Sequence, residues 1–161
     1  MKFKQVLFNE NTTNTTSIDL LNTIQWLEQM GIKNYTINDD GTVDVDDDVN
    51  ISNKNLTEIP IQFGIVKGNF RCDENKLTTL KGAPKYIGHT FDCSYNQLTT
   101  LQGAPRYVGG CFSCHDNKLT TLQGAPKCIE SNFYCYHNIK QFSIKVIKAV
   151  CNVKGKKFIK K

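Results

Sequence analysis

The chain predicts an α/β solenoid: a stack of 21-residue coils presenting a parallel β-sheet, closed by a helix and hairpin at one end and by a short basic cap at the other. Two observations carry this reading. Between residues 72 and 138 one phrase is written three times and begun a fourth, as CDENKLTTLKGAPKYIG, CSYNQLTTLQGAPRYVG, CHDNKLTTLQGAPKCIE and CYHN. Its landmarks keep a period of 21, in Cys72, Cys93, Cys114 and Cys135, in Asn75, Asn96, Asn117 and Asn138, and in Leu77, Leu98 and Leu119. A fixed period of this size marks a solenoid, in which each coil buries its core against its neighbours. With 161 residues and 39% hydrophobic content the chain suits one domain. It divides into an N-terminal cap over residues 1–42, the solenoid over residues 43–138, and a C-terminal cap with a basic tail over residues 139–161.

The N-terminal elements come first. Residues 2–8 (KFKQVLF) alternate enough for a short strand, and residues 9–16 are a polar linker. Ser17 is placed to cap a helix over residues 18–30 that carries Ile18, Leu21, Ile24 and Leu27, and Gly31 can end it in a left-handed conformation. Residues 32–37 and 42–45 then alternate around Asn38-Asp39-Asp40-Gly41, where Asp-Gly suits the positive φ angles of a tight hairpin turn. Such a cap has a physical purpose, because the first coil would otherwise expose apolar core and an unpaired strand edge.

Stepping back by 21 from Phe70, Cys72 and Leu77 lands on Val49, Ile51 and Leu56, so residues 49–60 are a diverged first coil. Five strands follow, near residues 49–51, 70–72, 91–93, 112–114 and 133–135. Within each, apolar residues two apart, such as Phe91 and Cys93, have the period of a strand with one buried face. In the segment LTTLQGAP, Leu98 and Leu101 point inward, and Gly103 with Pro105 forces a tight bend before Val108 re-enters the core.

The string F-x-C-x-x-N-x-L-T-T-L resembles the leucine-rich-repeat pattern L-x-L-x-x-N-x-L, with Phe70, Phe91, Phe112 and Phe133 at the first apolar position and the cysteines at the second. The variant carrying G-A-P resembles repeat proteins of bacteriophages, other viruses and some bacteria. The resemblance covers about residues 43–138 and implies an α/β leucine-rich-repeat-like solenoid whose concave sheet faces a ligand. Alternation then sets outward the candidate binding residues Arg71 and Asp73; Asp92, Ser94 and Tyr95; Ser113, His115 and Asp116; and Tyr134, Tyr136 and His137. These vary on a frame whose inward positions repeat, as a recognition surface does, and tyrosine is enriched at interfaces. A sheet of five short strands presents only roughly 300 to 350 Å², against about 800 Å² per partner in a stable complex. A flank, the N-terminal helix or a second copy must therefore join in, or the contact is weak.

Other features have structural explanations. An asparagine amide carries donors and an acceptor, so a stacked series satisfies backbone groups left open where each strand turns. The four-cysteine series reads as small buried hydrophobes in place of the usual leucine. Parallel Cβ vectors across neighbouring strands hold those cysteines too far apart for disulfides. Cys111 and Cys114 match half a zinc knuckle by spacing, but residues three apart on a strand face opposite ways, so no metal is expected. His115, Asp116 and His137 could form a His-carboxylate pair across neighbouring strands, yet no nucleophile or oxyanion site accompanies them and no catalytic residues are assigned. The run from Asp44 to Asp48 lacks the glycine a calcium loop needs, since that position is Val49. No cofactor is implied.

Beyond Asn138 the repeat stops. Residues 142–153 are apolar enough to cover the last coil as a short helix from Ser143, and the ending KGKKFIKK reads as a basic tail. Residues 39–58 hold seven acids against one lysine, whereas residues 139–161 hold eight lysines and no acid. The tail over residues 154–161 makes nucleic acid a secondary partner class. No segment reads as a secretory signal or a membrane span, so an intracellular, reducing location is expected, or a virion if the chain is viral. The functional expectation is a non-enzymatic module that binds a protein partner. The alternative is a structural component that self-associates or packs on a larger assembly.

Overall fold

The structure, a computed structural model, describes residues 14–158; the strand expected over residues 2–8 lies outside the described residues. Helix α1 (Asn14–Gln29) leads into an antiparallel hairpin of β1 (Tyr35–Ile37) and β2 (Val43–Val45). Thereafter each coil lays down short strands in pairs. These are β3 (Val49–Asn50), β4 (Phe63–Val66), β5 (Phe70–Arg71), β6 (Tyr86–Ile87), β7 (Phe91–Asp92), β8 (Tyr107–Val108), β9 (Phe112–Ser113), β10 (Cys128–Ile129) and β11 (Phe133–Tyr134). The chain closes with α2 (Ile144–Val150), β12 (Asn152–Val153) and β13 (Lys157–Phe158).

The strands form a β-solenoid with two sheets where one was expected. A seven-stranded sheet runs β1-β2-β4-β6-β8-β10-β12 and a six-stranded sheet runs β13-β11-β9-β7-β5-β3. Apart from the β1–β2 hairpin, every pairing is parallel, and equivalent residues of successive coils stand in register, as in Phe70↔Phe91↔Phe112↔Phe133. The five expected strands are β3, β5, β7, β9 and β11 of the six-stranded sheet. The other sheet escapes pattern reading because β6, β8 and β10 each bury a single apolar residue, Ile87, Val108 or Ile129, whereas pairs two apart such as Phe91 and Cys93 mark the six-stranded sheet. Glycine marks the corner between sheets: a Cβ at Gly109 would strike the Gly88 carbonyl oxygen one coil away.

The core is a set of ladders. Phe70, Phe91 and Phe112 stack with centroids 5.5 and 5.4 Å apart, and Phe63 and Trp26 continue the column edge-on toward α1. Cys72, Cys93, Cys114 and Cys135 form a second column and are buried free thiols, as expected of small hydrophobes. The asparagines do what their amides allow. Asn96 Nδ2 donates to the carbonyls of Cys72, Cys93 and Ser94, and its Oδ1 accepts the Leu77 N–H. Asn117 and Asn138 repeat this pattern one coil on. Lys54 occupies the first-coil place, and Asn75 Oδ1 reaches back to take the N–H groups of both Lys54 and Leu56.

Both ends differ in detail from expectation. Gly31 ends α1 at φ 69°, with Ile32 N–H on Leu27 and Gly31 N–H on Glu28, the expected left-handed cap. Ser17 lies inside α1 and does not begin it, because no glycine or proline upstream ends the helix there. In the hairpin turn the positive φ is confined to Gly41, while the Asp40 carboxylate accepts from the N–H and hydroxyl of Thr42. These bonds hold that carboxyl below its usual range. At the other end Ser143 caps α2 as expected, its hydroxyl accepting the Val146 N–H. The coil continues where the sequence repeat stops: β12 and β13 pair in parallel with β10 and β11. Residues 152–158 are therefore the strands of a sixth coil, so much of the basic segment is not a frayed tail. Among the described residues no helix is long and apolar enough to cross a membrane.

Candidate functional site

The outward side of the six-stranded sheet is built in columns. One contains Arg71, Asp92, Ser113 and Tyr134, in register on β5, β7, β9 and β11. Two residues along the chain, Asp73, Ser94, His115 and Tyr136 form the next. Beyond it, Asn53, Glu74, Tyr95, Asp116 and His137 all hold φ between 50 and 54°, in the left-handed region. This conformation lets Asn53, Glu74, Tyr95 and Asp116 donate their N–H groups to the following coil, as Tyr95 does to His115. Asn, Asp and His tolerate it, whereas Glu74 and Tyr95 carry a cost of roughly 1–2 kcal/mol each.

Asp73, Ser94 and Ser113 lie in outward columns yet are buried. Two of them are bonded by near neighbours: Arg71, two residues away in the same coil, holds Asp73 through Nε (3.2 Å) and Nη2 (3.1 Å), the Ser52 hydroxyl one coil back donates to the same carboxylate, and Asp92 Oδ1 takes the N–H and hydroxyl of Ser94. The Asp73 carboxylate raises the Arg71 guanidinium above its already high value. This half of the face is satisfied within itself.

The half over coils three to five is different. Tyr95, 54% exposed, meets the edge of His115 with centroids 5.2 Å apart. His115 stacks on Tyr136 at 4.5 Å and 6°, and Tyr136 meets His137 edge-on at 4.9 Å. Asp116 sits between the imidazoles, with Oδ2 at 2.7 Å from His115 Nδ1 and Oδ1 at 3.2 Å from His137 Nδ1. In the neutral rings this geometry assigns the proton to Nδ1 and leaves each Nε2 as an acceptor. Burial, then the Asp116 charge, pushes the Tyr136 hydroxyl up. Of the predicted site residues the structure thus brings together Tyr95, His115, Asp116, Tyr136 and His137. Tyr134 stands apart in the first column, its hydroxyl accepting from Asn132. Among the described residues no group of three or more His, Cys, Asp or Glu could hold a metal ion. The cluster offers flat rings, an acceptor nitrogen on the exposed His137 and a net negative carboxylate.

Sequence reasoning missed the outer side of the seven-stranded sheet. There Tyr86 and Tyr107, in register, stack at 4.8 Å and 5°, beside Lys85, Arg106 and Lys127, exposed at one place in three successive coils. The signal was present as a 21-residue period in K-Y, R-Y and K-C. It had no meaning until those residues were known to lie on a sheet. No family model, curated protein or solved structure matches the chain.

Proposed function

We propose that this solenoid is a non-enzymatic recognition module that binds a protein partner on the six-stranded sheet, centred on Tyr95, His115, Asp116, Tyr136 and His137. The supporting observation is the aromatic-imidazole cluster around Asp116, in which Tyr95 holds a costly left-handed conformation. Strained backbone and exposed aromatic rings concentrate where surfaces are used. The surrounding acids Glu74, Asp92 and Asp116 outnumber the single Arg71, which favours a partner presenting basic side chains to the rings and the carboxylate. The likeness of F-x-C-x-x-N-x-L to leucine-rich repeats, which bind ligands on a sheet face, supports the same reading. The direct test is affinity capture from the source lysate with the tagged chain and with a Tyr95→Ala, Tyr136→Ala, Asp116→Asn variant that retains its circular dichroism. A partner lost in the variant supports the reading; the same partners with both would overturn it.

The alternative, an assembly role, is favoured by one observation. The six-stranded sheet ends on β3 and β13, with Asp46, Asp47 and Asp48 beside one edge and Lys154, Lys156 and Lys157 beside the other. Head-to-tail packing of copies would give a mass in sedimentation that rises with concentration and falls with salt.

A further inference from the structure

The seven-stranded sheet carries a second surface, independent of the one just described. Lys85, Arg106 and Lys127 are direct neighbours along the solenoid axis: the Arg106 N–H bonds the Lys85 carbonyl at 2.8 Å and the Lys127 N–H bonds the Arg106 carbonyl at 2.9 Å. Their pitch is that of adjacent strands, about 4.8 Å. Like charges facing one another across a sheet repel, and none of the three has an ion pair among the described residues. Lys67 and Lys154 on the same side are paired, with Asp46 and Glu130. The row therefore carries a repulsion that no ion pair among the described residues relieves, with Asp40 acting on Lys85 only at a distance, and an anionic ligand relieves it.

Beside the row the tyrosine stack ends abruptly. Cys128 stands in register where a third ring would follow Tyr107. The stack thus ends on one face of Tyr107, with only a thiol at the next rung. The Glu130 carboxylate beside Tyr107 takes the Cys128 thiol at 3.3 Å and pairs with Lys154, so its charge is offset. On the other flank a groove of about 450 Å³ runs between the G-A-P turns and α2, lined by Pro105, Arg106, Ala125, Lys127, Ala149 and Val150. An acidic peptide would answer the cations but not the open ring. A positive groove next to an unfilled aromatic stack suits a chain that alternates phosphates with planar rings.

We propose that this face binds single-stranded nucleic acid, with phosphates on Lys85, Arg106 and Lys127 and one unpaired base stacked on Tyr107 above Cys128. Three phosphate contacts give a slope of about −2 in log affinity against log salt, so affinity falls roughly 20-fold between about 50 and 200 mM. The test is fluorescence anisotropy of the full chain with a labelled oligothymidylate of about 12 nucleotides, a length within the usual site sizes. Arg106→Gln with Lys127→Gln flattens the slope to about −0.7. Tyr107→Leu weakens binding about tenfold at unchanged slope, while Tyr107→Phe, which keeps the ring, binds as the wild type does. Lys156→Gln with Lys157→Gln leaves the slope unchanged. Absence of binding at low salt overturns the proposal. So does a slope that follows the C-terminal lysines, or polyglutamate competing as well as the oligonucleotide, which would mark an acidic protein as the ligand. Tyr95 and Asp116 variants leave this binding intact, so its failure and that of the protein-recognition reading are separable.

Discussion

Asn96 gives the sharpest test of how the coils are held together. Its Nδ2 donates to the carbonyls of Cys72 at 3.0 Å, Cys93 at 3.2 Å and Ser94 at 3.1 Å, and its Oδ1 accepts the Leu77 N–H at 2.8 Å. In Asn96→Ala the three carbonyls keep other donors: Asn75 Nδ2 on Cys72, Asn117 Nδ2 on Cys93 and the Glu74 N–H on Ser94. The Leu77 N–H is left with none. A buried orphan costs about 1–3 kcal/mol and each lost second bond about 0.5 kcal/mol, so the expected destabilisation is about 2.5–4.5 kcal/mol. Asn138 makes the equivalent bonds at the last ladder place but is only half-buried, and water can replace them. Asn138→Ala should therefore cost about 1–1.5 kcal/mol. Equilibrium urea unfolding followed by far-ultraviolet circular dichroism measures both. Equal losses for the two variants, or a loss below about 1 kcal/mol for Asn96→Ala, would refute the orphan-donor reasoning.

Two further outcomes follow from the same geometry. Of the seven cysteines, Cys111 and Cys128 alone are half-buried, so a disulfide reagent near pH 8 should modify two thiols quickly and the other five only on unfolding. Burial pushes Cys135 up to about 12, Cys151 up to about 11, and Cys72, Cys93 and Cys114 well above the usual range. The bond to Glu130 also raises the Cys128 thiol. A raised thiol holds less thiolate at a given pH, so Glu130→Gln should speed Cys128, and rapid native reaction of the ladder thiols would contradict their burial. Glu74→Gly exchanges a left-handed L-residue, costing about 1–2 kcal/mol, for glycine's entropic cost of about 0.5–1 kcal/mol. A gain of about 0.5 kcal/mol, or roughly 1–2 °C in Tm, is expected, and a clear loss on thermal unfolding would show that the position is not strained.

Much was legible in the sequence because a repeat makes environments equivalent. Whatever Cys93, Asn96 or Leu98 does, its partners 21 residues away must do one coil on, so the columns, the buried thiols and the asparagine ladder could be read directly. The helix ended by Gly31 and the one capped by Ser143 were legible through local chemistry that needs no long-range partner. His115, Asp116 and His137 could be placed near one another by the same period. The stacking of His115 between Tyr95 and Tyr136 depends on ring orientation, which spacing does not specify.

What only the tertiary structure decided lies where the repeat ends or the pattern is too short. The sixth coil has no repeated phrase: Asn152 and Val153 stand 24 residues from Cys128 and Ile129, with α2 taking the place of the usual turn, and parallel hydrogen bonds alone reveal it. Asp73, Ser94 and Ser113 alternate outward, but their neighbours cover them, and cover is a property of the whole face. The second sheet buries one apolar residue per strand at β6, β8 and β10, so no pair two apart announces it. Its pairing makes a line of Lys85, Arg106 and Lys127 beside a broken stack of tyrosines, because the period orders residues along the solenoid axis and only the folded coil sets which of them share a side.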